Sequence, residues 1–307
     1  MPIRRGGGGD QFRTRLSRYF QTFERPDGGV TDPGTVRRVS TLRAWLTPTR
    51  PGEPATIADR SERRAIVIEL FVVFTVTLGL SGLQSLLSLL DALLRPEPLA
   101  DQHAAINVPR AELGLLDMLA QLTNVLRLCA WGGLGLYLLW RGGMALRQVG
   151  LDRSRPGRDF AGGLGLAALI GIPGLGLYLV AHSLGLALTV QPSTLDAAWW
   201  RAPVLTLAAF GNSFAEEVLV VAYLLTRLRQ LGWSENRALW VSAVLRGSYH
   251  LYQGFGGFVG NVVMGLVYGR AWQRTNRLWP LVVGHALIDV VAFVGYAALR
   301  GRVGWLP

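Results

Sequence analysis

Apolar residues in this chain gather into long runs separated by short polar stretches that carry most of its arginines. A helix crossing ~30 Å of hydrocarbon needs about 20 predominantly apolar residues. Runs of that kind fall at 66–94, 118–140, 160–186, 202–226, 237–253, 256–272 and 278–299, the fifth and sixth being short and closely spaced. The pattern predicts an all-α, polytopic membrane helical bundle of about seven (six to eight) transmembrane helices. Residues 1–60, rich in Gly, Arg, Pro and Thr, lack periodicity and read as a disordered tail in which 37–46 could form a short surface helix. The expected organisation is a tail over 1–60, accessory transmembrane helices over 61–157 and a membrane core over 158–307. The first long apolar run starts only near Ile66, which argues against a signal peptide.

Charge sharpens this picture. The net charge of +11 comes from arginine alone, since the chain has no lysine, and 13 of its arginines precede the first apolar run. The lysine-free usage looks like a bacterial base composition. The connections alternate between arginine-rich (the tail, 141–158, 227–237, 270–277) and arginine-poor (95–117, 187–201, the turn near 254). The positive-inside rule then places the N-terminus in the cytoplasm of a multi-pass protein of the cell membrane. Arg300 and Arg302 on the expected outer side are the one exception. Topology accounts for the basic residues, so no nucleic-acid partner is implied; the expected partners are membrane lipid and a membrane-associated substrate. Cys129, the single cysteine, excludes an intrachain disulfide or a cysteine-based metal cluster and reads as a small buried hydrophobe.

Three of the apolar segments carry ionisable residues. They are Glu216 and Glu217, then Arg246 and His250, then His285 and Asp289. A charge at the bilayer centre costs at least ~2.5–3.5 kcal/mol, so such residues are rare and mark functional sites. With a rise of ~1.5 Å per residue, Glu216 lies ~16 Å from Arg227, His250 ~20 Å from Arg237, and His285 and Asp289 ~12 and ~18 Å from Arg277. All fall near the middle of the membrane. His285 and Asp289, one turn apart, share a helix face. Glu216 and Glu217 point about 100° apart, so one is expected to handle water while the other pairs structurally. Ion pairs that merely hold helices together are the alternative for any one of these residues.

The remaining candidates read as structural. His103 lies in an exposed outer loop and His182 at a helix end; Glu69 and Arg127 could pair or snorkel. Gly256/Gly260 and Gly265/Gly269 are small-residue pairs that mark an interior helix.

In this order and on neighbouring segments, the three motifs resemble the CPBP family, which comprises CAAX prenyl endopeptidases and bacteriocin-processing or immunity-type (Abi-like) proteins. The family's hallmarks are EExxxR, FxxxH and HxxxN/D. Here they appear as Glu216-Glu217, Arg246-Gly-Ser-Tyr-His250 and His285-Ala-Leu-Ile-Asp289, within roughly 158–299. The resemblance implies intramembrane proteolysis. Glu216 would activate a water with His250, and His285 and Asp289 would stabilise the oxyanion. Glu217, Arg246 and Asn261 would support them, with Tyr223 and Tyr249 as further donors. A divalent metal such as zinc, if present, would take Glu216, His250 and His285. A non-catalytic scaffold or immunity protein of the same fold is the alternative. The chain departs from the pattern at Val221, where the family has arginine, and at Arg246, where it has phenylalanine. These two changes predict that Arg246 supplies the missing guanidinium and pairs with Glu217. Arg227, near the interface, is expected to face water.

Overall fold

The structure is a computed structural model that describes residues 54–299; the tail over 1–53, with its expected surface helix at 37–46, and Arg300 and Arg302 lie outside them. Helix α1 (Arg60–Val76) is capped by Asp59, whose carboxylate accepts from Glu62 N at 2.8 Å. It meets α2 (Leu78–Leu94) at Thr77 with a bend of 51°. The Thr77 hydroxyl donates back to the Val73 carbonyl at 2.6 Å, the kind of bond that bends helices. Strand β1 (His103–Asn107), α3 (Gly114–Arg141), α4 (Pro156–Ser183) and β2 (Thr189–Ser193) follow. Then come α5 (Arg201–Glu216), a π-helical segment (Glu217–Tyr223) and α6 (Leu224–Gln230), which run on as one long helix. Helices α7 (Glu235–Ser248), α8 (Phe255–Thr275) and α9 (Trp279–Val290), a second π segment (Val291–Gly295) and α10 (Tyr296–Leu299) complete the described chain.

The helical membrane bundle is as the sequence predicts. Among the described residues, four helical stretches are long and apolar enough to cross a bilayer, or five if bent α1–α2 counts as one. Helix α7 has 14 residues, ~21 Å, well short of the hydrocarbon thickness. Helix α8 reaches 21 residues but does not meet the apolarity needed, because glycine and polar side chains dilute it. The α5–α6 stretch forms the centre, with 72% of its apolar window buried, whereas only 6% of α4's is, so α4 turns its side chains outward.

The connections sort into two sets. At one end, Ile57 N donates to Gln230 O, Leu278 N donates to Gly150 O, and Arg277 pairs with Asp152 at 2.7 Å and Asp159 at 2.5 Å. At the other end, β1 and β2 pair in parallel, with His103 opposite Thr189 and Asn107 opposite Ser193. There Gly254, at φ +94°, bridges to Ala187, and Arg201 reaches the Ala297 carbonyl at 3.2 Å. The first set joins the arginine-rich connections to one another, and the second joins the arginine-poor ones. The small sheet was not expected, since neither loop alternates clearly.

Close backbone approach explains the glycine pairs. A Cβ on Gly265 would sit 2.8 Å from Ala243 Cα on α7, and one on Gly269 2.5 Å from Leu239. Gly256 and Gly260 instead face Ala181 and Leu177 of α4. Helix α8 is therefore held between α4 and α7, which fixes α7 and the His250 that follows it.

Candidate active site

Asn212 and Glu216 are one turn apart on α5 and share a face. Glu217 opens the π segment, which widens the turn so that the two adjacent glutamates straddle a single partner, Arg246 on α7. Ser242 of α7 helps hold this wide turn by donating to the Val220 carbonyl at 2.7 Å.

Arg246 is fully buried, and its Nη2 donates to Glu217 Oε1 at 2.7 Å. Its Nη1 lies 3.6 Å from Glu216 Oε2, within ion-pair range but beyond a hydrogen bond. The expected Arg246–Glu217 pair is thus present, and the guanidinium also spans to Glu216. Two carboxylates could not be buried this close together without a compensating cation. Val221 is fully buried among apolar residues.

His285 Nδ1 lies 2.8 Å from Glu217 Oε1, and its Nε2 faces Asp289 Oδ2 at 3.7 Å. A carboxylate can only accept, so Nδ1 carries a proton. Asp289 Oδ2 in turn accepts from Asn212 Nδ2 at 3.0 Å. On the opposite side, the Tyr249 hydroxyl donates to Glu216 Oε2 at 2.7 Å. His250 follows the end of α7, with Nδ1 at 3.0 Å from the Arg246 carbonyl and its ring 4.8 Å from that of Tyr249. If Nδ1 donates to that carbonyl, Nε2 is left as an acceptor. Glu216 interacts electrostatically with both His250 and His285.

Both glutamates are buried. His250 and Asp289 are half-buried. The accessible edge of the cluster is therefore His250 and Asp289, with Glu216, Glu217 and Arg246 behind it. A cavity of about 530 Å³ at the strand-pair end shares Tyr252 with this cluster, since the Tyr252 ring stacks at 6.5 Å on His250. None of the ionisable residues of the cluster lines that cavity.

Several sequence-predicted residues stand elsewhere. Asn261 donates to Gly257 O of its own helix at 3.0 Å. Tyr223 donates to Glu69 at 2.9 Å, and Arg227 binds the same carboxylate at 2.8 Å. Arg227 is thus buried against Glu69, Gln230 and the Leu138 carbonyl and does not face water, because Glu69 offers it a partner inside the bundle. Arg127 does not pair with Glu69; it bonds Asn124 and lies over Trp131. His182 binds the Thr189 hydroxyl, and His103 is exposed on β1.

The metal-ligand set does not assemble. Among the described residues, no three His, Cys, Asp or Glu side chains are placed to hold one ion. The Arg246 guanidinium occupies the electrostatic position between the carboxylates that a divalent cation would need, and Glu217 engages His285. Glu216, His250 and His285 as they stand do not fit zinc.

The fold and cluster together define a multi-pass helical membrane protein with a buried polar cluster built from α5, α7 and α9. Residues 198–291 match the family model described as type II CAAX prenyl endopeptidase Rce1-like. No curated protein and no solved structure matches the chain. The matched stretch contains every residue of the cluster, and over it the chain is similar to CAAX-type intramembrane proteases.

Proposed function

We propose that the chain hydrolyses a peptide bond of a membrane-associated peptide or protein, with Glu216 as the group that deprotonates the attacking water. The observation that carries this reading is that two adjacent glutamates share one buried arginine to different extents. Glu217 Oε1 is held by both Arg246 and His285, while Glu216 lies beyond hydrogen-bond range of Arg246 and accepts from Tyr249, whose ring lies 4.8 Å from that of His250. A general base must be free to take a proton, and Glu216 is the less committed of the two. Tyr249 holds one Glu216 oxygen, directing the other toward the accessible edge. His250 Nε2 would share the proton. His285, held by Glu217 and Asp289, would donate to the oxyanion, with Asn212 fixing Asp289 so that its charge stays on the imidazole. The N-terminal tail would face the cytoplasm. The arginine-rich tail, the accessory helices before residue 158 and the core after it are the corresponding organisation.

The experiment is proteolysis of a membrane-anchored peptide library by the purified chain, comparing Glu216→Gln with Glu217→Gln. Loss of cleavage by more than about 100-fold in Glu216→Gln, in protein that unfolds like the unaltered chain, is expected. Full cleavage by Glu216→Gln would refute the assignment. A chain that cleaves nothing, with or without added divalent metal, would favour a scaffold role.

A further inference from the structure

At the arginine-rich end, a cavity of about 370 Å³ lies between the start of α1 and the connection from α6 to α7. Arg63, Arg64, Val67, Ile68, Leu231 and Trp233 line it, and its size is within the range of small-ligand sites. We propose that it seats an anionic phospholipid, with the phosphate at Arg63 and Arg64 and the acyl chain along Val67 and Ile68.

The walls divide by chemistry as a lipid does. Val67, Ile68 and Phe71 are exposed apolar residues on α1, at 54, 63 and 72%, so this wall opens into the hydrocarbon. One turn nearer the water, Arg63 spends its hydrogen bonds on the carbonyls of Ile57 and Leu231, at 3.2 and 2.9 Å. Carbonyls do not neutralise a guanidinium, so its charge remains available to an anion. Arg64 is exposed beside it and makes no ion pair among the described residues. Of the nearby carboxylates, Asp59 caps α1, Glu62 lies exposed in its first turn, and Glu69 is bound by Arg227 and Tyr223. Trp233 forms the rim with Arg237 stacked 5.0 Å from its ring, as an aromatic side chain does at a membrane interface. Guanidinium forks match phosphate oxygens, and the anionic leaflet is the one the arginine-rich end is expected to meet.

The test is native mass spectrometry of the full chain, released from micelles containing either phosphatidylglycerol or phosphatidylcholine. Retention of phosphatidylglycerol in preference to phosphatidylcholine is expected. Arg64→Gln should weaken that retention about fivefold, the value of one surface arginine beside an anionic lipid. Ile68→Trp, which fills the apolar wall, should weaken it as well, whereas Arg147→Gln, at an exposed arginine in the connection between α3 and α4, should not. Equal retention of both lipids, or no effect of Arg64→Gln and Ile68→Trp, would overturn the proposal. So would an equal loss with Arg147→Gln, which would mean diffuse attraction, or a second copy of the chain retained in place of lipid. Unchanged unfolding temperatures in phosphatidylcholine verify that the variants are folded. None of these readouts depends on peptidase activity.

Discussion

Arg246 is the residue whose removal the structure makes most consequential. Its guanidinium is fully buried, 2.7 Å from Glu217 and 3.6 Å from Glu216. At an effective dielectric near 20, each contact is worth roughly 5–6 kcal/mol of Coulomb attraction. Most of that is offset by the cost of stripping water from the three groups. Arg246→Leu keeps much of the apolar volume but leaves two buried carboxylates facing each other without a cation. Breaking a buried pair in this way costs about 3–5 kcal/mol, a large share of the ~5–15 kcal/mol that holds a typical protein folded. The assay is unfolding in mixed detergent micelles followed by the fluorescence of the chain's 10 tryptophans. Glu217→Gln alone should cost less, about 1–3 kcal/mol, because glutamine can still accept from His285 and Arg246. Combining the two changes should cost at least ~1 kcal/mol less than their sum, since the double variant no longer strands Glu217. Arg246→Leu unfolding within about 1 kcal/mol of the unaltered chain, or strict additivity with Glu217→Gln, would refute the account of Arg246 as the cation that makes both glutamates tolerable.

Three further outcomes follow from particular contacts. Asn212→Leu should lower kcat of cleavage about 10-fold or more with little change in KM, because the residue acts on Asp289 and not on the substrate; steady-state kinetics separate the two. Gly265→Leu should destabilise the chain by about 1–3 kcal/mol or more in the same unfolding assay, because its Cβ alone would press on Ala243 Cα at 2.8 Å. Outside the membrane, hydrogen bonds from Arg277 and then Ser154 hold the Asp152 carboxyl well below the usual carboxylate range. A depressed folded pKa stabilises above the unfolded value of about 3.9, and that contribution fades as pH falls through it. The unfolding temperature should therefore drop more steeply below about pH 4 in the unaltered chain than in Asp152→Asn.

Much of the site is legible in the sequence because helical rise and loop charge are strong constraints. Counting residues from Arg227, Arg237 and Arg277 already brings Glu216, His250 and Asp289 to one level, and the missing arginine at Val221 points to Arg246. Two site residues escape that reading. Asn212 has a signal, since it lies four residues before Glu216 on the same face, but an uncharged amide in a membrane helix attracts no notice beside carboxylates. Tyr249 is noticed only as one donor among several, because the bond to Glu216 depends on how α7 ends. The π segments are invisible to a period of 3.6, and so is the partnership of Glu69 with Arg227, which joins helices 158 residues apart in sequence. The apolar run at 237–253 divides in the structure, because α7 ends at Ser248 and the run continues into a 3₁₀ turn.

The wide turn at Glu217–Tyr223 lets one long helix obey two sets of neighbours. Before it, Asn212, Glu216 and Glu217 are set against α7 and α9. After it, Tyr223 and Arg227 are set against Glu69 on α1. A regular helix would rotate these groups in lockstep, so a substitution that shifted the anchor would also swing the glutamates. The π turn acts as a slip joint in the register. A π turn holds one residue more than an α turn, so deleting one residue within it would restore regular winding and leave the downstream face near its present orientation. Single-residue deletions between Val218 and Ala222, none of which contributes a polar side chain to the site, should therefore be tolerated better than deletions in the regular turns of α5.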